Sequence, residues 1–239
     1  MQSYIVFLKL VVILTIFFEL YALMVISYSL MVVRQVYFLT LLFIYSLYMS
    51  LVSHKAPHFQ ATALVDGQKV VNDFSLAQYE GDKYVILFFY PKDFSGVCPT
   101  EFWAFQERLS DFEKRNAVVV GCSCDSDAAH KAWVSTPRDK NGIEGITFPL
   151  IADMAKTIAL DYGVLGGYYS ADENGRIGYE GAPIDLRGTF IINKKGVVMY
   201  ESVNFFTIAR DIDIILRELD AIQHFEQSGE VCLANWKKK

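Results

Sequence analysis

The chain of 239 residues holds only four cysteines, Cys98, Cys122, Cys124 and Cys232. No Cys-x-x-Cys pair is among them, because the residue three places after Cys98 is Glu101. That argues against the dithiol of a disulfide exchanger. Four cysteines are also too few for a disulfide scaffold in a chain this long. Cys122-x-Cys124 has no second ligand pair at zinc-binding spacing. There is no glycine-rich phosphate loop, internal repeat or low-complexity tract. A lysine or arginine stripe is missing too, and the formal net charge of -5 argues against a nucleic-acid partner.

Charge itself is scarce at one end. From Met1 to Ser53 the charged residues are Lys9, Glu19 and Arg34. Setting these three aside takes the 22 basic and 27 acidic residues to 20 and 26, an ordinary acidic balance of -6. The hydrophobic content of 53% is therefore raised mainly by this end. Gln35–Ser53 runs for 19 residues without a charged side chain, long enough to span a bilayer. Three readings stay open. Residues 1–53 can be a membrane anchor. They can be a signal peptide, although the basic start is weak and no clean cleavage site follows. Or the working protein opens at Met49, and what precedes it is upstream translation. The expected division is a hydrophobic extension over 1–50, one domain over 51–225, and a C-terminal tail over 226–239.

The remainder is long enough to bury one core without staples. Tyr84–Phe89 is a continuous apolar run, the mark of a strand covered on both faces. Thr100–Arg115 carries Phe102, Phe105, Leu109 and Phe112 at helical spacing. Ala117–Cys122 reads as a second buried strand, Ala128–Val134 as a helix, Pro149–Ile151 as a brief strand, and Ala155–Tyr162 as a helix. Asn193-Lys194-Lys195-Gly196 turns a hairpin between Thr189–Ile192 and Val197–Glu201. Ile208–Phe225 reads as a long amphipathic helix. This order predicts an α/β fold of the thioredoxin type, a central mixed sheet flanked by helices.

Cys98 sits where the first buried strand gives way to a helix. Unpaired backbone N–H groups at a helix start favour an anion, and a thiol there tends towards the nucleophilic thiolate. Strand, loop and single cysteine read as a one-thiol peroxide site. Cys122 and Cys124 read as packing residues. His54, His58, His130 and His224 have no ligand spacing and read as solvated surface. Trp133, Phe102 and Phe105 read as core.

These residues resemble the typical 2-Cys peroxiredoxins, the alkyl hydroperoxide reductase C and thiol-specific antioxidant group. Pro91-x-x-x-Ser95-x-x-Cys98 and Val97-Cys98-Pro99-Thr100-Glu101 match the family's core signature. Gly229-Glu230-Val231-Cys232-Leu233-Ala234-Asn235-Trp236 resembles its C-terminal motif. The likeness runs from about Leu51 to Trp236. Ser95 stands where threonine is usual, and Leu233 where proline is usual.

The resemblance implies a thiol-dependent peroxidase. Cys98 is the expected peroxidatic cysteine and Cys232 the resolving cysteine, supplied by the partner chain of a homodimer. Arg187, Ser95 and Pro91 complete the expected catalytic group. Glu101 is expected to orient Arg187, and Arg210 to brace the site. No haem, flavin or metal is needed. The expected partners are a peroxide and a thioredoxin or a dedicated disulfide reductase, with dimers able to associate into rings. The cytoplasm fits this reducing chemistry, with the membrane anchor as the alternative. The chain stops at Lys239 without the longer tail of oxidation-sensitive members, which predicts resistance to excess peroxide. A disulfide exchanger and a chaperone-like or peroxide-sensing assembly are the rival readings.

Overall fold

The structure, a computed structural model, describes residues 50–238. The predicted span over Gln35–Ser53 lies almost wholly outside them. Among the described residues, no helix is long and apolar enough to cross a membrane.

The predicted run Tyr84–Phe89 forms β3, with all six residues buried. Preceding it are β1 (Ala61–Val65) and β2 (Lys69–Phe74). After it come β4 (Ala117–Ser123), β5 (Leu150–Ala152), β6 (Leu165–Ala171), β7 (Ile177–Asp185), β8 (Arg187–Ile192) and β9 (Val198–Asn204). Seven strands make one sheet in the order β2-β1-β5-β4-β3-β8-β9. β3 runs parallel to β4 and antiparallel to β8, so the sheet is mixed. The helices are α1 (Cys98–Glu107), α2 (Leu109–Glu113), α3 (Asp127–Val134), α4 (Thr157–Asp161) and α5 (Ile212–Ser228).

Strand alternation divides the core in two. Tyr84, Ile86, Phe88 and Tyr90 face a cluster containing Phe102 and Phe105 of α1, Phe112 of α2, Trp133 of α3 and Leu216 of α5. Val85, Leu87 and Phe89 face the other side, against Ile158 and Ala159 of α4. Phe88 stacks on Phe105 at 4.5 Å between ring centroids and meets Phe102 edge-on at 5.2 Å. Such ring pairs add about 0.5–1.5 kcal/mol each beyond area burial. They clamp α1, and with it Cys98, onto the central strand.

Three expectations are corrected. The single helix over Thr100–Arg115 breaks at Arg108, whose backbone leaves the helical region (φ -106, ψ 9). The last helix starts at Ile212 rather than Ile208. Asp211 caps it by accepting from the Asp213 and Ile214 N–H groups. It runs on to Ser228, where Gly229 ends it at φ +73, so the boundary drawn at 225/226 falls inside a helix. The β6–β7 hairpin was not anticipated, and it forms a separate two-stranded sheet. Its register shifts between Gly166 and Tyr168. Gly167 there has φ +121, and a Cβ on it would lie 2.4 Å from the Glu180 carbonyl oxygen.

Candidate active site

Cys98 is the first residue of α1, and its residue is fully buried. Pro99 follows in the first turn, where a missing N–H costs nothing. Val97 occupies the cap position but gives no side-chain hydrogen bond to the helix start. Pro99 carries no N–H, and the Thr100 N–H donates back to the Val97 carbonyl at 3.1 Å.

Arg187 opens β8, the strand beside β3, and is 2% exposed. Its Nη1 donates to Cys98 Sγ at 3.4 Å and to Glu101 Oε2 at 2.5 Å. Its Nε donates to the Phe206 carbonyl at 2.8 Å. Glu101, one turn into α1, is buried as well, and its other oxygen accepts from Arg210 Nη1 at 2.8 Å and Arg210 N at 3.0 Å. Arg210 also donates to Thr189 Oγ1, the Gly188 carbonyl and the Phe89 carbonyl. Burial pushes the Arg210 guanidinium below its ordinary range, while Glu101 opposes that shift. Glu101 thus sits between two guanidinium groups. One points at the sulfur and the other is tied to the ends of β3 and β8.

Pro91 is buried in the loop between β3 and α1. In the same loop the Ser95 hydroxyl oxygen is buried and has no hydrogen-bond partner. Unpaired buried hydroxyls are uncommon and costly. This one lies three residues before Cys98 in the chain. Cys98, Glu101, Arg187 and Arg210 are therefore brought together, with Ser95 and Pro91 in the adjoining loop. Cys232 lies elsewhere, on the tail beyond α5, where its Sγ donates to the Ala221 carbonyl at 3.5 Å. All four cysteines are free thiols.

The reading of His130 as solvated surface is wrong. Its residue is fully buried, and it pairs through Nδ1 with Asp93 Oδ2 at 2.9 Å. Tyr90 donates to the other Asp93 oxygen at 2.9 Å. The clue was the spacing of His130, Trp133 and Val134 on one helix face, which all three share as the buried face. Burial raises the Asp93 carboxyl. Burial works against the His130 imidazolium, but the Asp93 hydrogen bond and charge outweigh it, so His130 is raised. Cys122 is core, as expected, with its thiol pushed well up by burial. Cys124 donates to Asp185 Oδ1 at 3.0 Å, and burial followed by the Asp185 charge raises it too.

The AhpC/TSA family model matches residues 52–201. The chain belongs to the AhpC/TSA family. Alkyl hydroperoxide reductase C of Helicobacter pylori is 43% identical over 188 residues, covering 79% of this chain and 88% of the relative. A thioredoxin peroxidase of Echinococcus granulosus is 43% identical, with 79% and 89% covered. The crystal structure of the reduced Plasmodium vivax 2-Cys peroxiredoxin superposes with a TM-score of 0.70 at 39% identity, over 79% of this chain and 90% of that one. The fold is thus the peroxiredoxin variant of the thioredoxin-like sandwich. The chain is a thiol-dependent peroxidase, an oxidoreductase that acts on peroxide.

Proposed function

We propose that Cys98 is the peroxidatic thiol and that Arg187, Ser95 and Pro91 form the peroxide cradle around it. The observation that carries this is the Arg187 guanidinium 3.4 Å from a sulfur at an uncapped helix start. The Cys98 thiolate attacks one peroxide oxygen. An S–O bond forms, the O–O bond breaks, and the leaving oxygen departs as water or an alcohol after taking a proton. The sulfur is oxidised by two electrons to sulfenic acid. Arg187 and Ser95 hold the peroxide oxygens by charge-assisted and neutral hydrogen bonds. Pro91 shields the sulfur from water. Glu101 orients Arg187, and Arg210 orients Glu101.

Cys232 of a second copy then condenses with the sulfenic acid. An S–S bond forms and water leaves. Because Cys98 is fully buried, the first turn of α1 has to unwind for the sulfurs to meet. An external dithiol of the thioredoxin kind returns both thiols by exchange. A relative named thioredoxin peroxidase supports this choice of reductant. The peroxidase domain runs from about residue 51 to the end of α5 at Ser228, and the tail beyond it brings the resolving thiol. The reducing chemistry supports a cytoplasmic location. A peptide from within residues 1–48 in the endogenous protein would decide for the anchor instead.

Stopped-flow peroxide consumption with thioredoxin tests the assignment. Cys98→Ser should abolish it. Cys232→Ser should allow one turnover and then stall unless a small thiol is added. Full turnover in Cys98→Ser would overturn the scheme. Absence of an intermolecular disulfide after oxidation of the wild type would overturn the role of Cys232.

A further inference from the structure

The loop that delivers Cys98 is tied down at a second point, away from the arginines. Asp93 lies between Pro91 and Ser95 and is buried. Its carboxylate accepts from Tyr90 and faces His130 of α3, while its N–H donates to Asp125 Oδ2 at 2.8 Å. His130 Nε2 is 3.1 Å from the Ile151 carbonyl of β5. A carbonyl only accepts, so Nε2 carries a hydrogen. Nδ1 then faces a carboxylate oxygen that also has only lone pairs when ionised. The contact at 2.9 Å needs a proton between them, on Nδ1 or on Asp93. With one shared proton the pair is neutral overall. Without it, a lone pair faces a buried carboxylate, and the charge has no buried cation to compensate it.

We propose that Asp93 and His130 are the positioning pair of the peroxidatic loop, holding Ser95 and Cys98 in the peroxide-receiving arrangement for as long as they share one proton. This rests on the assignment of Cys98 above. When the proton is lost, the loop from Tyr90 to Val97 lets go of α3, while His130 keeps its Nε2 hydrogen on the Ile151 carbonyl of β5. Reaction with peroxide slows, while unwinding of the first helical turn, and so disulfide formation with Cys232, becomes faster. The other titratable groups facing the pair are Tyr90, on the strand side, and Asp125, at the end of β4. Tyr90 is raised well above its ordinary value by burial and stays neutral, and Asp125 adds negative charge that favours keeping the proton. Both therefore leave the shared proton as the one that titrates.

The test compares wild type with His130→Asn and Asp93→Asn, variants in which an amide keeps a hydrogen bond across the gap but removes one of the two sites that share the proton. The rate of Cys98 oxidation by hydrogen peroxide is followed from pH 6 to 10. In the wild type it should fall on the alkaline side by about tenfold per pH unit beyond the titration. In both variants that limb should flatten, whatever the absolute rate. A second readout needs no catalysis. Trp133 packs at 5.9 Å from Tyr90 and 6.1 Å from Phe94, so its fluorescence reports the loop. In Cys98→Ser protein with Trp103→Phe and Trp236→Phe, an alkaline emission change should appear, and it should vanish on adding His130→Asn. Identical pH profiles, or an emission change that survives His130→Asn, would overturn the pair's role. Loss of peroxide consumption in the wild type at every pH would overturn the peroxidase assignment alone, leaving the fluorescence change to judge the loop.

Discussion

Glu101 fixes Arg187: its Oε2 accepts from the same Nη1 that reaches the Cys98 sulfur, and both side chains are at most 2% exposed. The carboxylate also neutralises Arg210, so one acidic group compensates two buried cations. Glu101→Ala should destabilise the protein by about 3–5 kcal/mol, because it leaves both guanidinium groups without a counter-charge. Glu101→Gln should fold but slow Cys98 oxidation. Urea titration and stopped-flow peroxide kinetics check the two effects. A fully stable Ala variant would remove Glu101 from the centre of the network.

Arg187 serves three acceptors at once, Cys98 Sγ, Glu101 and the Phe206 carbonyl. A lysine has a point charge and no planar fork, so it cannot reach all three. Arg187→Lys should lower the second-order rate with peroxide about 10²–10³-fold, the usual loss on removing an electrostatic stabiliser. Cys98 alkylation by iodoacetamide should be affected far less, since that reagent makes no use of the cradle. Equal losses with both reagents would place the role of Arg187 on the sulfur alone.

The Ser95 hydroxyl is buried without a partner, which is a cost in the unliganded protein. Ser95→Ala should therefore leave stability unchanged or raise it by about 1 kcal/mol. The same change should slow peroxide reduction. Thermal unfolding and initial rates on one preparation measure both. Lower stability together with an unchanged rate would show that the hydroxyl serves packing instead.

Asp185 offers a pH test of the fold. Burial raises its carboxyl from the ordinary 3.8 to about 8. The groups around it are Cys124, which donates to it, Asp153, Asp125 and Lys156. The folded chain keeps a proton that the unfolded chain releases, so stability from this group falls as pH rises from about 4 to about 8. Asp185→Asn should flatten that slope. Urea midpoints at pH 5 and pH 8 supply the measurement, and an unchanged difference between them would sink the assignment.

The strand–loop–helix unit around Cys98 was legible because its signals are local. The apolar run Tyr84–Phe89 appears as a strand over the predicted residues, and α1 begins at the cysteine itself. The β6–β7 hairpin was not legible. β7 is exposed along most of its length and is buried only at Asp185, so no apolar alternation marks it. His130 was misread because a polar residue among charged neighbours looks solvated. Its burial depends on an acid 37 residues away in the loop before α1.

Local sequence was enough to place Cys98 after a buried strand at a helix start and to show the family motifs at either end, since each is written in residues close together along the chain. Tertiary structure alone decided which charges would meet. Glu101 meets Arg187 across 86 positions, because β8 pairs antiparallel with β3 and brings Arg187 to the base of α1, and it meets Arg210 across 109, because the loop after β9 returns there. In so dry a site a charge persists only beside its counterpart, and no periodicity along the chain records who that counterpart is.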